Sequence, residues 1–322
     1  MVLEIILIIL GFILLIKGAD ILVEGGSDLA KKMRIPEIII GLTIVSIGTS
    51  MPELVVSITS ALEGHPDMAI GNVVGSNITN LFLILGVCAV INELKFQKQT
   101  IKIEIPITLI ATVMLIYFAN NSKGINIITQ KEGLVLIAIC IIFILYNLIN
   151  AIKQSKQQKT LIEINYKNNK EIKLYKSIFF ILLGIAGLKV GGDLIINNSV
   201  IVASKIGMSD KLISLTILAI ATSLPELITS ITAAIKGEND MAIGNVLGSQ
   251  IFNILLIIGL SAVICPLNYS VEYNKNLYLL FVGAVLLMIF PHTGNKNKIT
   301  KIKGVVFLIF YGLYIYTLAI TK

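Results

Sequence analysis

The chain is poor in the residues that most enzymes and metal centres rely on. Only 14% of it is charged, with 2 His and 3 Cys in 322 residues. Soluble domains are nearer 25% charged, so a composition this lean in charge and 56% hydrophobic reads as a polytopic membrane protein. Cys88, Cys140 and Cys265 fall within or at the end of apolar runs at unrelated spacings, which predicts inert thiols and argues against a disulfide frame or a thiolate metal site. His65 and His292 fall between apolar runs, too far out for an intramembrane proton relay. No prosthetic cofactor is implied. The apolar runs are also continuous and far longer than the strands of a membrane barrel, which leaves helices.

A helix needs about 20 apolar residues to cross ~30 Å of hydrocarbon. Ten such runs are expected, at 2–22, 36–62, 68–91, 101–119, 129–150, 174–197, 209–235, 241–265, 276–291 and 302–320. The first opens with Glu4 in place of the basic residues of a secretory leader, so it reads as a retained helix. With the N-terminus outside, the predicted inner loops hold 18 Lys and Arg and the outer segments 6. That positive-inside bias places both termini outside and the basic stretch 151–173 in the cytoplasm. The net charge of +7 then faces anionic lipid, and no nucleic-acid partner is expected.

Internal repetition carries the most information. Residues Gly18–Gly86 align with Gly191–Gly259 without a gap at a constant offset of 173, and "MAIGNV" recurs letter for letter. Five spans per half mean that the second copy enters from the opposite side. The fold class expected is an all-α polytopic membrane protein of ten transmembrane helices, built as two inverted five-helix repeats (1–150 and 174–322) joined by the linker 151–173. Inverted repeats with interrupted helices at matching positions point to a secondary transporter with its site near the midplane.

The interruptions are "GTSMPE" and "ATSLPE". Pro52 has no N–H for the carbonyl of Gly48, and Pro225 none for Ala221. Each proline either makes a packing kink or frees carbonyls to face a cavity. An acid at midspan, as Glu53 and Glu226 are, costs about 3 kcal/mol on insertion scales and marks function by default. Thr49 and Ser50 share a helical face with Glu53, as Thr222 and Ser223 do with Glu226. In the next helix Asn72, Ser76 and Asn80 form a polar stripe, with its twin at Asn245, Ser249 and Asn253. Asn72 and Asn245 either line the site or serve as interhelical glue. Together these residues offer carboxylates, hydroxyls, amides and carbonyls, but neither thiolate nor imidazole. Oxygen donors of net charge near −2 suit a hard cation, Ca²⁺ above all, with Na⁺ as the competitor of similar size.

The paired motifs "GTSMPE" with "GNVVGSNITN", and "ATSLPE" with "GNVLGSQIFN", resemble the alpha-repeats of the sodium/calcium exchanger family, here at 41–86 and 214–259. The resemblance covers the whole chain. It implies ion-binding roles for Thr49, Ser50, Glu53, Ser76 and Asn80, and for Thr222, Ser223, Glu226, Ser249 and Asn253. Backbone carbonyls at Ser46 and Ala219 are implied as further ligands. The activity implied is electrogenic antiport by alternating access, several Na⁺ entering for one Ca²⁺ extruded, with helices 1 and 6 sliding across a stable core. The setting implied is a monomer in the plasma membrane. Some relatives carry Asp where this chain has Asn253, and the amide argues against potassium coupling. A calcium/proton exchanger is the alternative, although that branch has Glu or His near Ser76 and Ser249. A calcium channel would draw its ring of carboxylates from several subunits. An intramembrane hydrolase built on Ser50 and Glu53 lacks a third member, so an enzyme is not expected.

Overall fold

The computed structural model describes residues 2–64, 66–120, 126–162, 174–206, 222–294 and 297–320. Its helices are α1 (Val2–Met33), α2 (Glu37–Thr49), α3 (Met51–Leu62), α4 (Met68–Ile91), α5 (Thr100–Ala119), α6 (Gln130–Ile162), α7 (Leu174–Lys205), α8 (Leu224–Ile235), α9 (Asn239–Ile264), α10 (Val271–His292) and α11 (Lys301–Ile320). Among the described residues, α1, α4, α5, α6, α7, α9, α10 and α11 are each long and apolar enough to cross a membrane, and the bent pair α2–α3 would make a ninth span. Of the tenth expected span, 209–235, only 222–235 lies within the described residues.

Two helices outrun their expected limits. α1 was expected over 2–22 and α7 over 174–197, yet each has 32 residues. At 1.5 Å per residue that is about 48 Å, well over the ~30 Å of hydrocarbon. Hydropathy marks only the apolar part of a helix, whereas the backbone bonds continue through Glu24, Asp28 and Lys31. Asp20 and Asp193 sit well inside α1 and α7. Both are part-exposed and paired, Asp20 with Lys236 at 2.5 Å and Asp193 with Lys189 at 3.1 Å. Likewise α6 continues to Ile162, through the first part of the basic stretch 151–173. Cys88 and Cys140 are buried and Cys265, at the end of α9, is half-buried; all three are free thiols.

The chain divides into two compact units, Met1–Thr49 with Ile142–Asn245, and Ser50–Ile141 with Val246–Lys322. In the first, α1 packs antiparallel along α7 on a seam of glycines. A Cβ on Gly11 would lie 2.8 Å from the carbonyl oxygen of Gly191, and one on Gly18 would lie 2.9 Å from that of Gly184. Gly25 meets Ser177 in the same way at 3.0 Å. These positions recur every seven residues on both helices, and Gly11 and Gly18 have Gly184 and Gly191 as their repeat counterparts. Gly11 meets the counterpart of Gly18, and Gly18 meets the counterpart of Gly11. That reciprocal pattern is what two like elements related by a two-fold axis produce. Without side chains in the way, backbone meets backbone, which is how apolar helices gain attraction when lipid is as apolar as they are.

The second unit repeats the device. Gly86 of α4 faces Gly304 of α11, and Gly259 of α9 faces Gly133 of α6; Gly86 and Gly259 are again 173 apart. Gly283 of α10 lets the ring of Phe82 in α4 reach within 2.5 Å of where a Cβ would stand. Around this core Phe82 also packs on Phe307 and Phe310. Two short antiparallel ribbons close the loops, β1 (Leu94–Lys95) with β4 (Lys298–Ile299), and β2 (Ile127–Ile128) with β3 (Leu267–Asn268). Strands β1 and β3 also stand at the repeat offset.

Candidate cation-binding residues

Both proline motifs open a new helix in the same way. α2 ends at Thr49, Ser50 takes φ −83° and ψ 7°, and α3 begins at Met51 with Pro52 in its first turn. In the second copy Ser223 takes φ −87° and ψ 4°, and α8 begins at Leu224 with Pro225 in its first turn. Proline is suited to a first turn, where its missing N–H would go unbonded anyway. Of the two readings open for these prolines, the simple kink is too weak a description of the first copy, where α2 stops and α3 starts after a single residue. Glu53 and Glu226 sit in the first turn of the new helix, where exposed backbone N–H groups favour an anion. Both are fully buried.

Three residues of the first unit, Thr49, Asn245 and Ser230, gather around the second break. Thr49 Oγ1 donates to Asn245 Oδ1 at 3.1 Å and lies 3.3 Å from the carbonyl oxygen of Ser46, a carbonyl expected among the ligands. Asn245 Nδ2 donates to Ser230 Oγ at 2.9 Å and to the carbonyl of Glu226 at 3.4 Å. Thr222 and Ser223 are buried beside the break. Ala219, the other expected carbonyl ligand, lies outside the described residues.

The second unit holds the other cluster. Asn72 Nδ2 donates to Ser57 Oγ at 3.0 Å and to the carbonyl of Glu53 at 3.3 Å, repeating the Asn245 geometry at its counterpart. Ser76 Oγ donates to Glu53 Oε1 at 3.3 Å, and Ser50 Oγ donates to Ser249 Oγ at 3.0 Å. Asn80 and Asn253 are fully buried; among the described residues neither end of the Asn80 amide has a hydrogen-bond partner, nor does Asn253 Oδ1. A buried amide without partners is costly, so oxygens of this kind suit an incoming cation.

The two readings of Asn72 and Asn245 are thereby resolved towards glue: each ties the helix carrying the glutamate to the helix after it. Replacing Asn72 with Ala would remove this tie and leave the buried Ser57 hydroxyl without its donor, at about 1–3 kcal/mol. Asn72→Ala is therefore expected to lower the melting temperature of the purified protein while leaving the identity of the transported ions unchanged, both measurable on one preparation.

Several polar residues escaped the sequence reading, Ser57 and Ser230 among them. Asn77 and Gln250 are buried repeat counterparts, and Asn77 Nδ2 donates to the carbonyl of Gln250 at 3.3 Å. Their spacing puts them off the 72-76-80 stripe, which hid them. Widened π turns at Gly41–Val45, Thr79–Ile84 and Asn253–Ile258 were likewise not legible, although such turns are frequent at functional sites.

Comparison with known proteins agrees with this geometry. The sequence matches the family described as sodium/calcium exchanger protein over residues 3–149 and 176–320. It is 34% identical over 321 residues to the putative antiporter CaxA of Alkalimonas amylolytica, covering 99% of each chain. It is 32% identical to the sodium/calcium exchanger MaX1 of Methanosarcina acetivorans, covering 97% of each. The fold is similar to that of the sodium-calcium exchanger NCX_Mj soaked with Na⁺ and Ca²⁺, with a TM-score of 0.82 and 28% identity over 100% of this chain and 99% of that one. Coverage of nearly the whole chain, with buried oxygen donors at both copies of the proline motif, leaves one conclusion: this protein belongs to the sodium/calcium exchanger family, whose members are transporters and not enzymes.

Proposed function

We propose that the chain is a secondary antiporter that exchanges Na⁺ for Ca²⁺ and normally extrudes Ca²⁺, working by alternating access. The observation that carries this reading is the duplication of a buried glutamate in the first turn of a helix that starts with proline, each copy among hydroxyl, amide and carbonyl oxygens. The ions are held by Thr49, Ser50, Glu53, Ser76 and Asn80, by Thr222, Ser223, Glu226, Ser249 and Asn253, and by the carbonyls of Ser46 and Ala219. A carboxylate buried in hydrocarbon is unfavourable until a cation neutralises it. One Ca²⁺ supplies two positive charges to Glu53 and Glu226, and Na⁺ of similar size competes for the same oxygens. Each ion leaves only when the other replaces it, which is the logic of exchange. Sodium coupling is favoured over proton coupling by Ser76 and Ser249, both buried where a proton-exchanging relative carries an ionisable side chain. Both termini lie outside the plasma membrane, 151–173 faces the cytoplasm, and a single chain in lipid carries the transport.

The test is ⁴⁵Ca²⁺ uptake into proteoliposomes. Uptake should require internal Na⁺ and should not follow from internal K⁺ or an imposed pH gradient. Uptake driven by the pH gradient alone would move the chain to the proton-coupled branch.

A further inference from the structure

Asn77 lies beside the expected ligands without being one of them, and its hydrogen bonds fix the orientation of Asn253. The carbonyl of Gln250 can only accept, so the end of the Asn77 amide that meets it at 3.3 Å is the NH₂. Asn77 Oδ1 is then the end that faces Asn253, and an oxygen without hydrogen needs a donor. Asn253 Nδ2 supplies it at 3.0 Å and sends its other hydrogen to Ser76 Oγ at 3.2 Å. With a lone pair occupied in this way, the Ser76 hydroxyl turns its own hydrogen to Glu53 Oε1. The donors run outward from the Asn253 amide nitrogen in two directions, through Asn77 to the Gln250 carbonyl and through Ser76 to the Glu53 carboxylate. Both hydrogens of the Asn253 amide are used, and its Oδ1 is buried with no hydrogen-bond partner among the described residues. Asn80, by contrast, has neither amide end held by any of them.

We propose that Asn77 is a positioning residue for ion binding: by accepting from Asn253 Nδ2 it holds that amide with Oδ1 turned to the transported cation. The inference rests on the reading of Asn253 as a ligand. Were the amide reversed, its positive end would face the ion and two oxygens would face each other at Asn77. A neutral ligand is thus made reliable by an amide that never touches the ion.

The test is a double-variant cycle on the full chain in detergent and in proteoliposomes. The Ca²⁺ dissociation constant is read from thermal stabilisation by CaCl₂, and KM and Vmax from ⁴⁵Ca²⁺ exchange. Asn77→Leu should raise the dissociation constant and KM about tenfold, the worth of one well-placed hydrogen bond, with Vmax within about twofold. Asn253→Ala should also raise the constant, and adding Asn77→Leu to it should change nothing further, because Asn77 acts through Asn253. Asn77→Ala is the second variant should the leucine not fold, with the same expectation. Multiplying effects in the double variant, an unchanged constant in Asn77→Leu, or failure of both Asn77 variants to fold would each overturn the assignment. Glu53→Gln separates the two levels. If it too leaves the Ca²⁺ response unchanged, the functional reading falls and this inference with it; if it abolishes the response while Asn77→Leu does not weaken it, the inference alone falls.

Discussion

Glu53→Gln and Glu226→Gln should each reduce Ca²⁺ exchange by on the order of 100-fold or more while the protein still folds. The substitution keeps the size of the side chain and one oxygen, and removes the charge. Both glutamates are fully buried in the first turns of their helices, so their charge has little water to spread into. A buried charge costs about 3 kcal/mol on insertion scales, and a ligand that relieves that cost recovers a similar amount; 1.4 kcal/mol corresponds to tenfold in affinity. Ion-free stability should hold or rise, because the amide carries no charge to desolvate. Two measurements on the same preparation check this: the melting temperature without Ca²⁺, and ⁴⁵Ca²⁺ uptake against a Na⁺ gradient. Full transport in either variant would remove that carboxylate from the ion path.

The second large effect is expected at the α1–α7 seam. Gly184→Val would put its Cβ 2.7 Å from both the Cβ and the backbone nitrogen of Leu22, and 2.8 Å from the carbonyl of Gly18. These are backbone or near-backbone atoms that no rotamer change can move, so the two helices must separate along their length. Overpacking a well-packed contact costs about 1–3 kcal/mol, and lost contact at the neighbouring seam glycines adds to it. Against a total stability of about 5–15 kcal/mol, folded protein should be much reduced. Gly312→Val is the control, since nothing lies within 4 Å of a Cβ there. Size-exclusion profiles after detergent extraction should show a monodisperse peak for the control and its loss for Gly184→Val. Equal behaviour of the two would mean that the seam is not a determinant of folding.

Much of the candidate site was legible because its signals are local and doubled. A proline followed by glutamate inside an apolar run conflicts with a plain membrane helix at one place, and finding the conflict again 173 residues on makes chance a poor account of it. The proline and the acid of each motif fall within six residues of chain, and the stripe that completes the oxygen-only donor set lies on the next helix. The expected spans also held where apolar runs set them, at α4, α5, α10 and α11. They fell short at α1 and α7, where polar residues extend a helix that hydropathy alone cannot follow.

What composition, periodicity and repetition determined by themselves was the class of protein, its helices, and the residue types available to a cation. Which groups are spent on structure and which are left for an ion was decided only by tertiary packing. Asn72 and Asn253 are the same residue type in corresponding helices. Yet Asn72 uses its amide to tie Ser57 and Glu53 together, whereas Asn253 saturates its nitrogen and leaves its oxygen unpaired. The difference comes from partners far away in the chain, Ser76 and Asn77 for Asn253, more than 170 residues before it. The glycine seam has the same origin: a glycine at every seventh position permits close approach, but only the antiparallel pairing of α1 with α7 sets one such row against the other. Sequence spacing reports what lies on one face of one helix; the free energy of a buried amide or glycine depends on what the facing helix presents to it.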